Sequence, residues 1–184
     1  RQCQLKSYWM DYAPKEERVK EPPNPIFDKG NEMHKAMELA VKKDRELPVH
    51  LMHTRPIVDA IRRAPVQMVE EKMAFNQDLK PVSFFDKDVW VRVIHDILVL
   101  NADQSHAVCV DWKSGKPRPD SDQLELFAGS VFTRYPSVQK VDTYYGFLEH
   151  QKFARMTYHR KMEDHIWQKF GEEAYLIEQS YTTG

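Results

Sequence analysis

The spacing of apolar residues changes near residue 65, and this change divides the chain into a helical part and a strand-rich part. Before it, apolar residues recur at intervals of three and four over 31–46, which predicts an amphipathic helix. The stretch "PIVDAIRRA" (56–64) predicts a second, shorter helix, because proline is favoured at the first helical position. After it come segments rich in Val, Ile, Phe and Trp, which predict strands over 66–75, 82–86, 88–100 and 106–113.

The connections between these segments complete a predicted α/β domain. The short connector "NADQS" joins the last two strands as a hairpin. Helical spacing returns over 120–134, one more strand is predicted over 138–150, and a long final helix over 154–179. At the other end we expect a short helix within 1–19 and then a loop, because Pro22, Pro23 and Pro25 exclude a helix and Gly30 ends the segment.

These elements predict a single domain over 1–184 with a central mixed β-sheet flanked by helices. We divide it into an N-terminal helical segment and loop (1–30), a core (31–150) and a C-terminal helix (154–179). A chain of 184 residues is long enough to bury a proper core. Because the sequence begins with Arg1, we expect it to be a fragment or a processed chain.

Charge and cysteine content narrow the function classes. The net charge of −1 provides no general attraction to nucleic acid, so a polyanion would need local basic clusters or metal ions. Cys3 and Cys109 lie far apart and no C-x-x-C pair occurs, which excludes a zinc ribbon and a four-cysteine iron–sulfur cluster within the chain. No apolar run approaches the ~20 residues of a membrane span. We therefore expect a cytoplasmic protein that does not enter a membrane and carries no iron–sulfur cluster.

Two aspartates stand at the ends of apolar runs on the predicted hairpin, where their carboxylates would converge. Asp96 and Asp111 would then repel each other, and a hard divalent cation such as Mg²⁺ or Mn²⁺ removes that repulsion. Lys113 lies two residues after Asp111 and faces the same side of the strand. An ammonium there can orient a water or neutralise charge on a phosphate. The competing interpretation, in which each aspartate caps a turn at a strand end, stays open from the residues alone.

The pattern Asp96 … Asp111-Trp112-Lys113 resembles the active site of the PD-(D/E)XK nuclease superfamily, which has an acid on one strand and acid-x-Lys on the next. The segment "DWKSGKPRPDSDQLELFA" is similar to the RecB-like, lambda-exonuclease-like branch. In that branch D-x-K-(T/S)-G-K leads into a helix bearing Q-x-x-x-Y, and here Gln123 opens the helix. The resemblance implies a restriction-endonuclease-like core.

Two upstream segments extend the resemblance to roughly residues 1–150, in the family's order. "FDKGNEMHKAME" resembles the G-x-x-x-H helix of this branch, with Gly30 and His34 as the motif residues. "CQLKSYWMDY" resembles its opening segment, with Cys3 as the remaining cysteine. One departure is Phe127, which stands where the family's tyrosine is usual.

The resemblance implies a DNA nuclease that depends on Mg²⁺ or Mn²⁺. The implied metal ligands are the His34 imidazole, the carboxylates of Asp96 and Asp111, and the Trp112 backbone carbonyl. The implied catalytic residues are Asp96, Asp111, Lys113, which would assist the attacking water, and Gln123, which would position Lys113 or the phosphate. The residues expected to contact DNA are Lys116, Arg118, Gln123, Arg160 and Lys161, although charge runs are usually solvated surface.

Other interpretations compete with this one. His34 alone is more often an ordinary residue of an amphipathic helix, and Glu70 and Glu71 are interpreted as exposed edge residues. The leading function is exonuclease action on single-stranded or end-containing DNA in recombination, repair or phage DNA metabolism, in a bacterial or phage-infected cell. A helicase, a recombination protein or a second copy of the chain would be its partner. The alternatives are a nuclease-fold protein that binds nucleic acid or protein without cutting, and an unrelated Mg²⁺ phosphatase-like hydrolase.

Overall fold

The structure, a computed structural model, describes residues 25–43, 45–117 and 122–182. Four α-helices are present in this part of the chain: α1 (Pro25–Lys43), α2 (Arg55–Arg62), α3 (Asp122–Arg134) and α4 (Glu163–Thr182). Five strands follow the order β1 (Val66–Phe75), β2 (Val91–Leu100), β3 (His106–Lys113), β4 (Lys140–Phe147) and β5 (Lys152–His159). Short 3₁₀ turns at Val49–Thr54 and Arg160–Met162 precede α2 and α4.

The five strands form one mixed sheet in sequence order. All neighbours are antiparallel except β3 and β4, which run parallel and are joined by the crossover helix α3. The predicted hairpin is confirmed, since residues 97–100 of β2 pair with 107–110 of β3. The predicted α/β class with a mixed sheet between helices is also confirmed.

Each face of the sheet packs against two helices. On one face, α3 and α4 cover a core that includes Phe75, Leu98, Phe132 and Ile166. On the other, α1 and α2 cover a second core whose members are Met33, Met37, Ala40, Val41, Leu47, Leu51, Val58, Ile61, Ile97, Val110, Trp112 and Leu148. The side chains of Asp111 and Trp112 therefore point to opposite faces, as strand alternation requires.

Three predicted boundaries are wrong. The loop expected over 20–30 is helix from Pro25 onward. Proline is tolerated at the first position of a helix, because the backbone N–H that it lacks would have no acceptor within the helix there. Residues 82–86 form turns within the β1–β2 loop and not a strand. The final helix begins at Glu163 and not at 154, since residues 152–159 form β5. The helix expected within 1–19 lies outside the described residues.

None of the helices in the described part of the chain is long and apolar enough to cross a membrane.

Candidate functional site

The two aspartates lie where β2 and β3 separate. The pairing of these strands ends at Ile97 and Val110, and Asp96 and Asp111 are the next residues beyond it. From there β3 continues beside β4 up to Lys113, while β2 continues beside β1. The separating strands leave a fork, and the candidate site is built in this fork.

The side chain of Asp96 accepts the backbone hydrogen bond of β3 that a paired strand would otherwise accept. Its Oδ2 accepts a hydrogen bond of 2.8 Å from the backbone N–H of Trp112. The same oxygen lies 3.3 Å from His34 Nδ1, on α1. Burial by itself lowers the pKa of His34, but the hydrogen bond and charge of Asp96 outweigh it and raise that pKa above its usual value.

Helix α1 passes close to the chain just after β3 at Gly30. A Cβ atom added at Gly30 would lie 2.9 Å from Ser114 Oγ, one residue beyond Lys113. Four residues later on the same helix, His34 reaches Asp96. The Gly30–His34 spacing therefore brings the imidazole to the fork.

Asp111, Lys113 and Gln123 form a triangle on the other side of the fork. Lys113 Nζ donates to Gln123 Oε1 at 2.7 Å, and Gln123 Nε2 donates to Asp111 Oδ1 at 2.8 Å. Lys113 Nζ also lies 2.7 Å from Asp111 Oδ2. That contact is an ion pair between the ammonium and a buried carboxylate oxygen. Gln123 thus links α3 to both strand residues.

The environment of Asp111 disfavours its charged form. The residue is only 4% exposed. Burial raises the pKa of its carboxyl group to about 6, the charge of Asp96 adds to this effect, and the ammonium of Lys113 opposes it. A buried carboxyl group with a raised pKa beside another carboxylate is a common feature of functional sites.

Glu70 also belongs to this site, although the sequence did not predict it. It lies on β1 between the pairs Val69–Ile97 and Glu71–His95, so it stands opposite Asp96. Its backbone φ is 57°, a conformation that residues other than glycine rarely adopt. Partial burial and then the charge of Asp96 raise the pKa of Glu70.

At Glu70 the alternation of β1 and β2 is interrupted, so that the odd-numbered residues point to opposite faces of the sheet before and after this position. Beyond it, Met73 and Val93 pack under α3 and α4, whereas Val69 and Ile97, at the same odd spacing, pack under α1 and α2. The interpretation of Glu70 as an exposed edge residue was correct about its exposure and missed this position. The adjacent acids Glu70 and Glu71 in the middle of β1 were the only available signal.

The side chains at the fork carry oxygen and nitrogen atoms that could ligate a divalent cation. As the side chains of the described residues stand, no three His, Cys, Asp or Glu side chains form a coordinating group. Asp96 Oδ2 instead accepts from the Trp112 N–H, and Asp111 Oδ1 accepts from Gln123 Nε2. Carboxylate oxygens with one imidazole are a donor set that suits Mg²⁺ or Mn²⁺. The chemistry of the residues therefore fits such an ion.

Two further side chains have contacts that the sequence did not predict. Lys113 Nζ lies 5.3 Å from the ring centroid of Tyr145 on β4, which helps to orient the ammonium. Phe127 is buried, with its ring centroid 4.5 Å from that of His95. His95 is fully buried, and its Nε2 is hydrogen-bonded to Ser130 Oγ on α3.

The predicted DNA-binding residues are dispersed. Lys116 is exposed shortly after β3, near the fork, whereas Arg118 lies outside the described residues. Lys161 is exposed on the 3₁₀ turn before α4. Arg160 donates to the backbone oxygens of Phe132 and Tyr135 and pairs with Glu163, so its guanidinium closes the end of α3 and has little capacity left for a phosphate.

The cysteines have no part in the described site. Cys109 is buried on β3, where burial raises the pKa of its thiol, and Cys3 lies outside the described residues.

Comparison with known protein families found no family model that matches this chain, and a search of curated proteins found no match either.

Proposed function

We propose that this chain is a metal-dependent DNA nuclease with a restriction-endonuclease-like core, of the RecB-like branch of the PD-(D/E)XK superfamily. The observation that carries the proposal is the triangle of Asp111, Lys113 and Gln123 beside Asp96 and His34. These five residues come from four separate elements, α1, β2, β3 and α3, and all five are residues that the motif resemblance implies from the sequence alone. Their convergence in one fork supports the resemblance.

Each side chain has a distinct task in phosphodiester hydrolysis. Lys113 places its ammonium beside the reacting phosphate, where it orients the attacking water and stabilises developing negative charge. Gln123 fixes that ammonium through Oε1 and fixes Asp111 through Nε2. His34 and the Trp112 N–H hold the Asp96 carboxylate in one orientation.

The metal would be held by the carboxylates of Asp96 and Asp111 together with His34 and the Trp112 carbonyl, and Glu70 stands within electrostatic range as a further carboxylate. A bound Mg²⁺ or Mn²⁺ supplies Lewis-acid polarisation of the phosphate and lowers the pKa of the attacking water. Opposite charge at this point also removes the penalty of ionising Asp111 in a buried position.

The direct test is cleavage of end-labelled DNA. Linear and circular substrates, single- and double-stranded, are incubated with the protein in Mn²⁺, in Mg²⁺ or in EDTA. We expect metal-dependent cleavage by the wild type and none by Asp111→Asn, and cleavage of circles would identify an endonuclease. Exposed Asp78→Asn is the matched control and should cleave normally. Cleavage that survives Asp111→Asn, or that is unaffected by EDTA, would disprove the mechanism.

A second candidate function is a protein of the same fold that binds nucleic acid or a protein partner without cutting. Phe127 favours it, because a buried phenyl ring has replaced the hydroxyl that the family places on this helix. Thermal melting separates the two functions. A nuclease should be stabilised by Mn²⁺ relative to EDTA, and this stabilisation should require Asp111.

A further inference from the structure

A patch of cations and aromatic rings extends from the fork along the β1–β2 ribbon. We define the β1–β2 strip as Lys72, Phe84, Phe85 and Arg92. Lys72 Nζ lies 5.5 Å and Arg92 Cζ 5.9 Å from the ring centroid of Phe84. Phe85 packs edge-on against Phe84, with 5.2 Å between the ring centroids, and is 82% exposed. The strip thus combines positive charge with an open aromatic face.

The loop that carries the aromatic rings is tied to the sheet. Arg92 Nε donates to the backbone oxygen of Phe84 at 2.6 Å. Val82 N–H donates to the oxygen of Ala74, and Trp90 N–H donates to the oxygen of Phe75. These bonds hold both ends of the loop, so Phe85 is presented from a fixed base.

An exposed phenylalanine alone requires no explanation, since single apolar residues are common on protein surfaces. The cations beside it are more informative. Among the described residues, neither Lys72 nor Arg92 has a carboxylate within ion-pair distance, whereas Lys80 in the same loop is paired with Asp78. Asp86, in the same loop, accepts the backbone N–H of Asp88. The strip therefore keeps two uncompensated positive charges.

The strip lies on the sheet face from which α1 brings His34 to the fork. Met73 and Val93 pack under α3 and α4, so the alternate residues Lys72 and Arg92 lie on the opposite sheet face, where α1 packs. Lys72 is two residues beyond Glu70, or about 7 Å along the strand. Arg92 is four residues from Asp96, or about 13 Å. A strand of a few nucleotides would reach from the fork to Phe85.

We propose that the β1–β2 strip binds the single-stranded part of a nucleic acid whose scissile phosphate lies at the fork. Lys72 and Arg92 contact backbone phosphates, and Phe85 stacks on a base. Stacking on an aromatic side chain together with backbone contacts from cations is how single strands are bound without sequence preference. The proposal rests on the proposed nuclease function for the location of the scissile phosphate.

The test separates binding from cleavage. Binding of a fluorescent ~12-nucleotide single-stranded oligonucleotide is measured in EDTA by anisotropy, at several salt concentrations. The variants are Phe85→Ala and Lys72→Ala. The controls are Lys80→Ala, an exposed lysine of the same loop that is paired with Asp78, and Leu176→Ala, an exposed apolar residue of α4. Cleavage of a small phosphodiester, too short to reach the strip, is measured in Mn²⁺.

We expect Phe85→Ala to weaken oligonucleotide binding by about fivefold or more, without changing its salt dependence. Lys72→Ala should weaken binding and reduce the slope of log affinity against log salt by about 0.7. Both variants should cleave the small phosphodiester as the wild type does, and the two control variants should bind normally.

Two failures are distinguishable. If the wild type cleaves but the Phe85 and Lys72 variants bind oligonucleotide normally, or if duplex DNA without ends competes equally well, the strip is overturned and the nuclease stands. If the wild type cleaves nothing but binding requires Phe85 and Lys72, the nuclease is overturned and the strip stands as a binding surface.

Discussion

Replacing Asp111 by Asn should stabilise the metal-free protein at neutral pH, even though it removes the proposed activity. The carboxyl group of Asp111 has a pKa of about 6 in the folded protein and 3.8 in an unperturbed state. A carboxyl group whose pKa is higher in the folded state binds its proton more tightly there. Its ionisation therefore weakens folding progressively as pH rises from about 4 to about 6, and the full penalty is present above that range.

The size of the effect follows from the two pKa values. At about 1.4 kcal/mol per pH unit, the difference corresponds to about 3 kcal/mol of lost stability at neutral pH. The uncharged amide of the Asp111→Asn variant would avoid this penalty, which already includes the attraction of Lys113, and would keep the acceptor for Gln123. Its NH₂ group would, however, place a donor against the Lys113 ammonium. We therefore expect a net gain of about 2 kcal/mol, which for a chain of this size raises Tm by about 4 to 8 °C.

The assay is thermal or urea unfolding in EDTA between pH 4 and pH 8. The advantage of Asp111→Asn should be complete at pH 7–8, fall to about half at pH 5 and become small at pH 4, because the carboxyl group is then protonated in the folded state and only partly ionised in the unfolded state. Mn²⁺ should reverse the order by stabilising only the wild type. Asp78→Asn, at an exposed ion pair, should change stability by less than about 0.5 kcal/mol. An Asp111→Asn protein that is equal or less stable than the wild type at pH 8 in EDTA would refute the reasoning.

Three more predictions test the site and its supports. Gln123→Leu should lower the cleavage rate by about 10- to 100-fold, since it removes the link between α3 and the site lysine, and a rate within twofold of wild type would contradict this. Burial by itself raises the pKa of Asp142, but hydrogen bonds led by that of Thr157 hold it well below its usual range. Asp142→Asn should therefore cost about 2 kcal/mol at pH 7, and the difference in unfolding free energy should shrink as pH falls below about 4; a difference independent of pH would disprove it. Gly146→Ala would place a Cβ 2.5 Å from the Trp112 ring and should destabilise by about 1 to 3 kcal/mol in urea unfolding, whereas Gly171→Ala, with open space around it in α4, should not destabilise.

Two strands were predicted with their observed bounds. The bounds 66–75 and 106–113 agree with β1 and β3, because Pro65 and the polar connector "NADQS" mark where these strands begin. The opposite case is β5, of which only Tyr158 is buried. An exposed edge strand lacks apolar alternation, and its structure depends on hydrogen bonds to β4 that the local sequence does not encode.

Proline and phenylalanine misled the prediction for a related reason. Pro25 begins α1, although three nearby prolines indicated a loop over the whole segment. Phe84 and Phe85 suggested a strand over 82–86, yet Phe85 is the most exposed phenylalanine among the residues described. The residue type alone does not show whether a phenylalanine is exposed on the surface or buried in the core.

The candidate site was predictable wherever one local spacing determined the geometry. The hairpin brought Asp96 and Asp111 together, and alternation placed Lys113 on the face of Asp111. The contacts of Gln123 and His34 required the family resemblance, since they join separate helices to the sheet. Glu70 escaped prediction because the facing of β1 reverses at that residue, and a regular period of two cannot represent a reversal.

Three features at the fork are each unfavourable for folding, and they lie together. Asp111 is a buried carboxyl group whose ionisation is opposed by its surroundings. Glu70 holds a strained backbone conformation, which costs on the order of 1 kcal/mol. Asp96 uses its carboxylate to bond a strand N–H that a continued ladder would have satisfied without a charge. A sheet built only for stability would replace all three with apolar residues, and local violations that cluster in this way are expected at functional sites. The cluster favours a working site at the fork on grounds that do not depend on any family resemblance.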